Sequence, residues 1–154
     1  MQTTLARTVD FKGVGLHSGA PARMSLRPAP AGHGIVFVRV DLRDAAPVPA
    51  LWDAVVPSQL CTLLRGPDGT TISTIEHIMA ALAGTGVHNV RIELDGPEVP
   101  ILDGSSAAFV SGILGAGLAQ QDAPLRAIRV TMKSSPLMAR PQAAALRERI
   151  KADE

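Results

Sequence analysis

The sequence predicts an α+β fold. This rests on three observations: period-two strand patterns fill most of the first half, two short helical stripes follow, and a further strand pattern lies between those helices.

The elements follow in order. Leu5, Arg7, Val9 and Phe11 alternate with Ala6, Thr8 and Asp10, which predicts a first strand. Gly13-Val14-Gly15-Leu16-His17-Ser18-Gly19 holds three glycines, as suits a sharp loop whose backbone passes close to something else. Ala22, Met24 and Leu26 alternate with Arg23, Ser25 and Arg27 in a second strand, and Ile35 to Val40 is a third, β-branched and mostly buried. Between Val48 and Ile72, short strands are expected near Ala50–Val55, Leu60–Leu64 and Thr70–Ile72. Gly66-Pro67-Asp68-Gly69 turns the last pair into a hairpin.

Ser73 to Ala83 reads as the first helix. Ser73-Thr74-Ile75-Glu76 matches a capping box, Gly84 is the expected stop, and Ile75, Ile78, Met79 and Leu82 form an apolar stripe. Val90, Ile92 and Leu94 alternate with Arg91, Glu93 and Asp95 in another strand. Ile101 to Ser105 is a turn braced by Asp103, leading into a helix over Ser106–Leu114 with Phe109, Val110, Ile113 and Leu114 as its apolar face. Ile128 to Met132 is the last expected strand. Residues 133–154 turn polar and are read as a tail or linker, so the domain spans residues 1–132.

At 154 residues and 46% hydrophobic, the chain can bury one ordinary core, and aromatic content of 3% means aliphatic side chains must fill it. A formal charge of +1 argues against nucleic acid or an anionic membrane as partner. Cys61 is the single cysteine, which rules out an internal disulfide and fits a reducing compartment. No signal peptide and no apolar run near the ~18 residues of a transmembrane helix is evident, so a cytoplasmic location is expected.

The chemistry concentrates at the start of the first helix. At about 100° per residue, Glu76 lies about 100° and His77 about 200° from Ile75, off the core stripe. Neutral imidazole ligates zinc, and an adjacent carboxylate can take a proton from water. Spacing alone leaves two readings open for each: cap or base for Glu76, surface histidine or ligand for His77. His33 and His88 carry no motif and read as structural or solvent-facing.

Several segments in order resemble one family. These are Gly13–Gly19, Gly34–Asp41, Leu60-Cys61-Thr62, Ser73-Thr74-Ile75-Glu76-His77, Ala80–Gly84 and Glu98-Val99-Pro100-Ile101-Leu102-Asp103-Gly104-Ser105. Together they resemble the zinc-dependent UDP-3-O-acyl-N-acetylglucosamine deacetylases, which hydrolyse the N-acetyl group at the committed step of lipid A biosynthesis. The resemblance runs from about residue 3 to 131. It implies the first of two similar domains: a two-layer sandwich, its sheet antiparallel or mixed, with two helices on one face and a small strand insert within residues 41–64. It implies Glu76 as general base, His77 as one of three protein ligands to Zn2+, and Leu60, Cys61, Thr62 and His17 near the substrate. The bland alternatives are a small buried hydrophobe for Cys61 and a glycine-held loop residue for His17.

The family's other zinc ligands belong to a His-Lys-x-x-Asp motif of its second domain, which has no counterpart here. The expectation is therefore a deacetylase half whose partner is a missing C-terminal domain or a second copy. The alternative is a truncated, non-catalytic member or a module that binds substrate or a partner.

Overall fold

The computed structural model describes residues 1–125. Its strands are β1 (Gln2–Leu5), β2 (Val9–Val14), β3 (Pro21–Pro28), β4 (Ile35–Arg39), β5 (Val48–Pro49), β6 (Val55–Val56), β7 (Leu63–Arg65), β8 (Thr71–Ser73), β9 (Val90–Leu94) and β10 (Leu118–Gln121). Its helices are α1 (Glu76–Thr85) and α2 (Ala107–Ala116).

The main sheet has the order β2-β3-β9-β4-β5. It is mixed: β4 runs parallel to β9, and the other pairs are antiparallel. Register places Phe11 opposite Met24, Met24 opposite Leu94, and Leu26 and Phe37 on either side of Ile92. These residues share one face of the sheet, since side chains alternate along a strand. They join Ile78 and Leu82 of α1 and Phe109 and Ile113 of α2 in the core. Phe11 meets Phe109 edge-on, with centroids 5.1 Å apart. The other face is polar: Arg27 and Arg91 both pair with Glu93, and Ser25 donates to Asp10. The result is the expected α+β sandwich with two helices over one face.

Several local expectations differ. The first strand is two strands, broken over Ala6–Thr8, because β1 leaves the main sheet to pair with β10. The break falls at Arg7, the charged residue in the apolar column, which is exposed and donates to the Gly115 carbonyl. Buried Asn89 ties this small sheet down, donating to Gln2 and Gln121 at 2.8 and 2.7 Å. Strand β10 had no clear alternation to announce it.

The insert lies further along the chain than the expected residues 41–64. β6-β7-β8 form a three-stranded sheet across residues 55–73, whereas β5 pairs with β4 in the main sheet. A single 3-10 turn, Trp52–Ala54, replaces most of the strand expected near Ala50–Val55. The hairpin at Gly66–Gly69 is present, with Gly69 at φ 86° and Asp68 accepting from the Thr70 amide.

Helix α1 does not begin in a capping box. Ser73 belongs to β8 and donates to the Pro97 carbonyl, and Ile75 takes the cap position. The helix runs past Gly84 to Gly86, whose φ of 73° allows its amide and that of Val87 to close back on Ala83 and Leu82. Helix α2 likewise runs on to Ala116, and Leu114 is exposed rather than buried because Ala116 takes the next inward position. The strand expected at Ile128–Met132 and the tail lie outside the described residues.

Two helical glycines differ in their surroundings. A Cβ on Gly84 would meet nothing within 4 Å, while one on Gly112 would lie 2.6 Å from Phe11 Cζ. Gly84→Ala is therefore expected to stabilise the domain by about 0.5–1 kcal/mol through helix propensity. Gly112→Ala is expected to destabilise it by about 1–3 kcal/mol, because α2 and Phe11 must separate. Urea unfolding of both variants checks the pair.

Candidate active site

The site forms where α1, the β2–β3 loop and the small sheet converge. β8 ends at Ser73, Thr74 takes a left-handed φ of 60°, and α1 starts within two residues. That abrupt turn sets Glu76 exposed and His77 half-buried at the first turn, off the buried stripe of Ile78, Ala81 and Leu82.

Glu76 is held from the small sheet. Its Oε1 accepts the Thr62 amide, and the Thr62 carbonyl accepts the Thr74 amide at 3.2 Å. The carboxylate at the helix start is thus a bridge to the insert, not a cap on its own helix. Burial works against its ionisation, but its own backbone amide, the Thr62 amide and side chain, and the nearby His77 outweigh this, so its carboxyl lies below the usual range. Asp103 is also lowered, chiefly by Ser105, which donates to it through both hydroxyl and amide, with a smaller contribution from His77. Asp103 braces the turn before α2, as expected.

A cleft of about 310 Å³ lies between the glycine loop and the insert. Its lining includes His17, Leu60, Cys61, Leu63 and Ser73. Three of the four residues expected near substrate, His17, Leu60 and Cys61, therefore line one cleft; Thr62 instead anchors Glu76. Cys61 is partly buried, with its thiol 3.5 Å from the Ser58 hydroxyl. His88 lies elsewhere, accepting the Thr3 amide on Nδ1, as a structural histidine does.

Sequence reasoning gave Glu98 no role, yet it has the most demanding environment here. It is 4% exposed. Its Oε1 accepts the His17 amide at 2.9 Å and the Thr74 hydroxyl at 3.0 Å. Its Oε2 accepts the Ser18 amide at 3.0 Å and the Ser18 hydroxyl at 2.6 Å. Gly15 must be glycine for the same reason, since a Cβ there would overlap Glu98 Oε2 and Ser18 Oγ. Burial pushes the Glu98 carboxyl up, but the His17 amide, both Ser18 donors and Thr74 outweigh it and hold it down at about 2. An acid directly before the apolar run Val99-Pro100-Ile101-Leu102 was the available signal.

Among the described residues, no group of three or more His, Cys, Asp or Glu side chains converges to hold a metal ion. Within the described residues, His77 is therefore not joined by the two further protein ligands that a catalytic zinc requires.

Comparison with known proteins adds to this geometry. A family model described as UDP-3-O-acyl N-acetylglycosamine deacetylase matches residues 2–147. The UDP-3-O-acyl-N-acetylglucosamine deacetylase of Myxococcus xanthus (strain DK1622) is 56% identical over 123 residues, covering 80% of this chain and 39% of that protein. The enzyme of that name from Xanthomonas axonopodis pv. citri (strain 306) is 51% identical over 130 residues, 84% of this chain and 43% of its own. That from Actinobacillus pleuropneumoniae serotype 3 (strain JL03) is 46% identical over 129 residues, 84% of this chain and 42% of its own. The chain thus spans about two-fifths of the length of the curated relatives it matches.

The Glu98 environment has a pH consequence. A depressed folded-state carboxyl contributes stability that is complete above its ordinary value of 4.5 and is lost as pH falls toward about 2. Wild-type protein is expected to lose stability steeply across that window. Glu98→Gln should start less stable at neutral pH and show a flatter acid limb, as read by urea unfolding at stepped pH. Parallel acid limbs would refute the assignment.

Proposed function

The chain belongs to the UDP-3-O-acyl-N-acetylglucosamine deacetylase family, and from that membership we propose that it carries the general-base half of a site that hydrolyses the N-acetyl group of UDP-3-O-acyl-N-acetylglucosamine in lipid A biosynthesis. The observation that carries the reading is Glu76, an ionised carboxylate tethered through one oxygen to the Thr62 amide and set beside His77 at one helix start.

Tethering leaves Oε2 of Glu76 for a proton. As water attacks the acetamide carbonyl carbon, Glu76 takes a proton from it. Breaking the C–N bond then requires a proton on the departing nitrogen, and the products are the free amine and acetate. The cleft beside His17, Leu60 and Cys61 is the proposed substrate wall; about 310 Å³ is near the lower end of the range for small-molecule sites.

His77 is the proposed contribution to Zn2+ binding. The described residues do not complete a ligand set, so no step is assigned to the metal; the other ligands would come from outside the described region. We take residues 1–132 as the N-terminal deacetylase domain, 133–154 as a tail or linker, and the partner that completes the site as a C-terminal domain or a second copy. Cytoplasmic location is proposed from the single unpaired cysteine; no helix among the described residues is long and apolar enough to cross a membrane. The incomplete ligand set favours a second reading, in which the chain binds substrate or a partner without hydrolysing it.

Acetate release separates the two. The chain is mixed with zinc, substrate and the purified C-terminal domain of a family relative. Under the proposal, the mixture releases acetate and the chain alone does not. Glu76→Gln should reduce the rate by about 10²–10⁴-fold, the usual contribution of a general base. No release from the mixture would favour the binding-module reading, and full activity in Glu76→Gln would remove Glu76 as the general base.

A further inference from the structure

The two walls of the cleft belong to segments far apart in sequence. One is the β2–β3 loop, which carries His17; the other is the turn from β8 into α1, which carries Ser73 and leads to Glu76. The contact between them is the Glu98 side chain. Its segment lies beneath both: Ser73 and Glu98 pair as a parallel bridge, in which the Ser73 amide donates to the Pro97 carbonyl and the Val99 amide to the Ser73 carbonyl, and the Ile101 amide reaches the Val14 carbonyl.

The chemistry of the contact selects a carboxylate. Each oxygen accepts two donors, one oxygen from His17 and Thr74, the other from two groups of Ser18. Glutamine has the same shape but one acceptor oxygen, and its NH2 would face two donors. No cation pairs with Glu98 among the described ion pairs, so donors alone stabilise the buried charge. A carboxylate placed only to fill space would not need this arrangement. Nor would it require the absent side chain at Gly15 or the left-handed Thr74 that aims its hydroxyl inward.

We propose that Glu98 is the positioning residue of this site, a buried carboxylate that locks the His17 loop to the Thr74 turn and so fixes the cleft wall relative to Glu76 and His77. The inference rests on the active-site reading for its meaning, but its test uses neither substrate nor metal, so either can fail without the other.

The test is amide hydrogen exchange by NMR on the full chain. In Glu98→Gln, the His17 and Ser18 amides should exchange about tenfold faster than the loss of global stability accounts for, that loss being read from the core amides of Leu26 and Ile92. The decisive variants lie on the other wall. Thr74→Val removes only the hydroxyl that shares Oε1 with His17 and should speed exchange at His17 and Ser18 about threefold. Thr74→Ser keeps the hydroxyl and should restore wild-type exchange. Wild-type exchange at both amides in Thr74→Val would overturn the proposal, as would failure of Thr74→Ser to restore it. If Glu98→Gln loses the fold as a whole, the Thr74 pair decides.

Discussion

A carboxylate that has no counter-cation among the described residues lies under the cleft, and much of the surrounding geometry exists to keep it satisfied. Burying a charge is tolerable only where donors replace its water. Glu98 takes four, from two main-chain amides and two hydroxyls. Gly15 gives up its side chain, and Thr74 accepts a conformation that β-branched residues avoid. The abrupt start of α1 follows from Thr74, and the exposure of Glu76 and His77 follows from that start. The site is therefore organised from beneath by a residue that faces no solvent.

Much of the architecture was legible in the sequence because it is written in periodicity. The alternation of Met24 and Leu26, or of Ile92 and Leu94, states which face is buried, and the sheet obeys it. What escaped was set by tertiary contact. The β1–β10 pairing depends on Asn89 and its partners, and no local pattern announces such a hub. The capping box was a correct pattern with the wrong occupant. Ser73 was drawn into β8, and the Thr62 amide, distant in sequence, took the Glu76 carboxylate. His17, Leu60 and Cys61 came from resemblance, and the cleft gathers them. Glu98 stood in the same motif but carried no visible chemistry, because its role lies in the main-chain amides of another segment.

His77 is half-buried and off the core stripe, with Glu76 beside it. That arrangement is poorly suited to holding a metal alone and well suited to meeting ligands from another surface. Helices over one face and a polar, ion-paired opposite face enclose the core of the described residues.

The attachment of the insert to the helix start has a separate consequence. Thr62 makes both of its connections, to Glu76 and to Thr74, through main-chain groups. The Thr62 side chain adds to its hold on Glu76, whereas neighbouring side chains such as Leu60 and Cys61 do not take part in that staple. The lining of the cleft is thus free to drift in size and polarity while the carboxylate stays where it is. A lineage could retune what the cleft admits by single substitutions there, without first having to rebuild the chemistry.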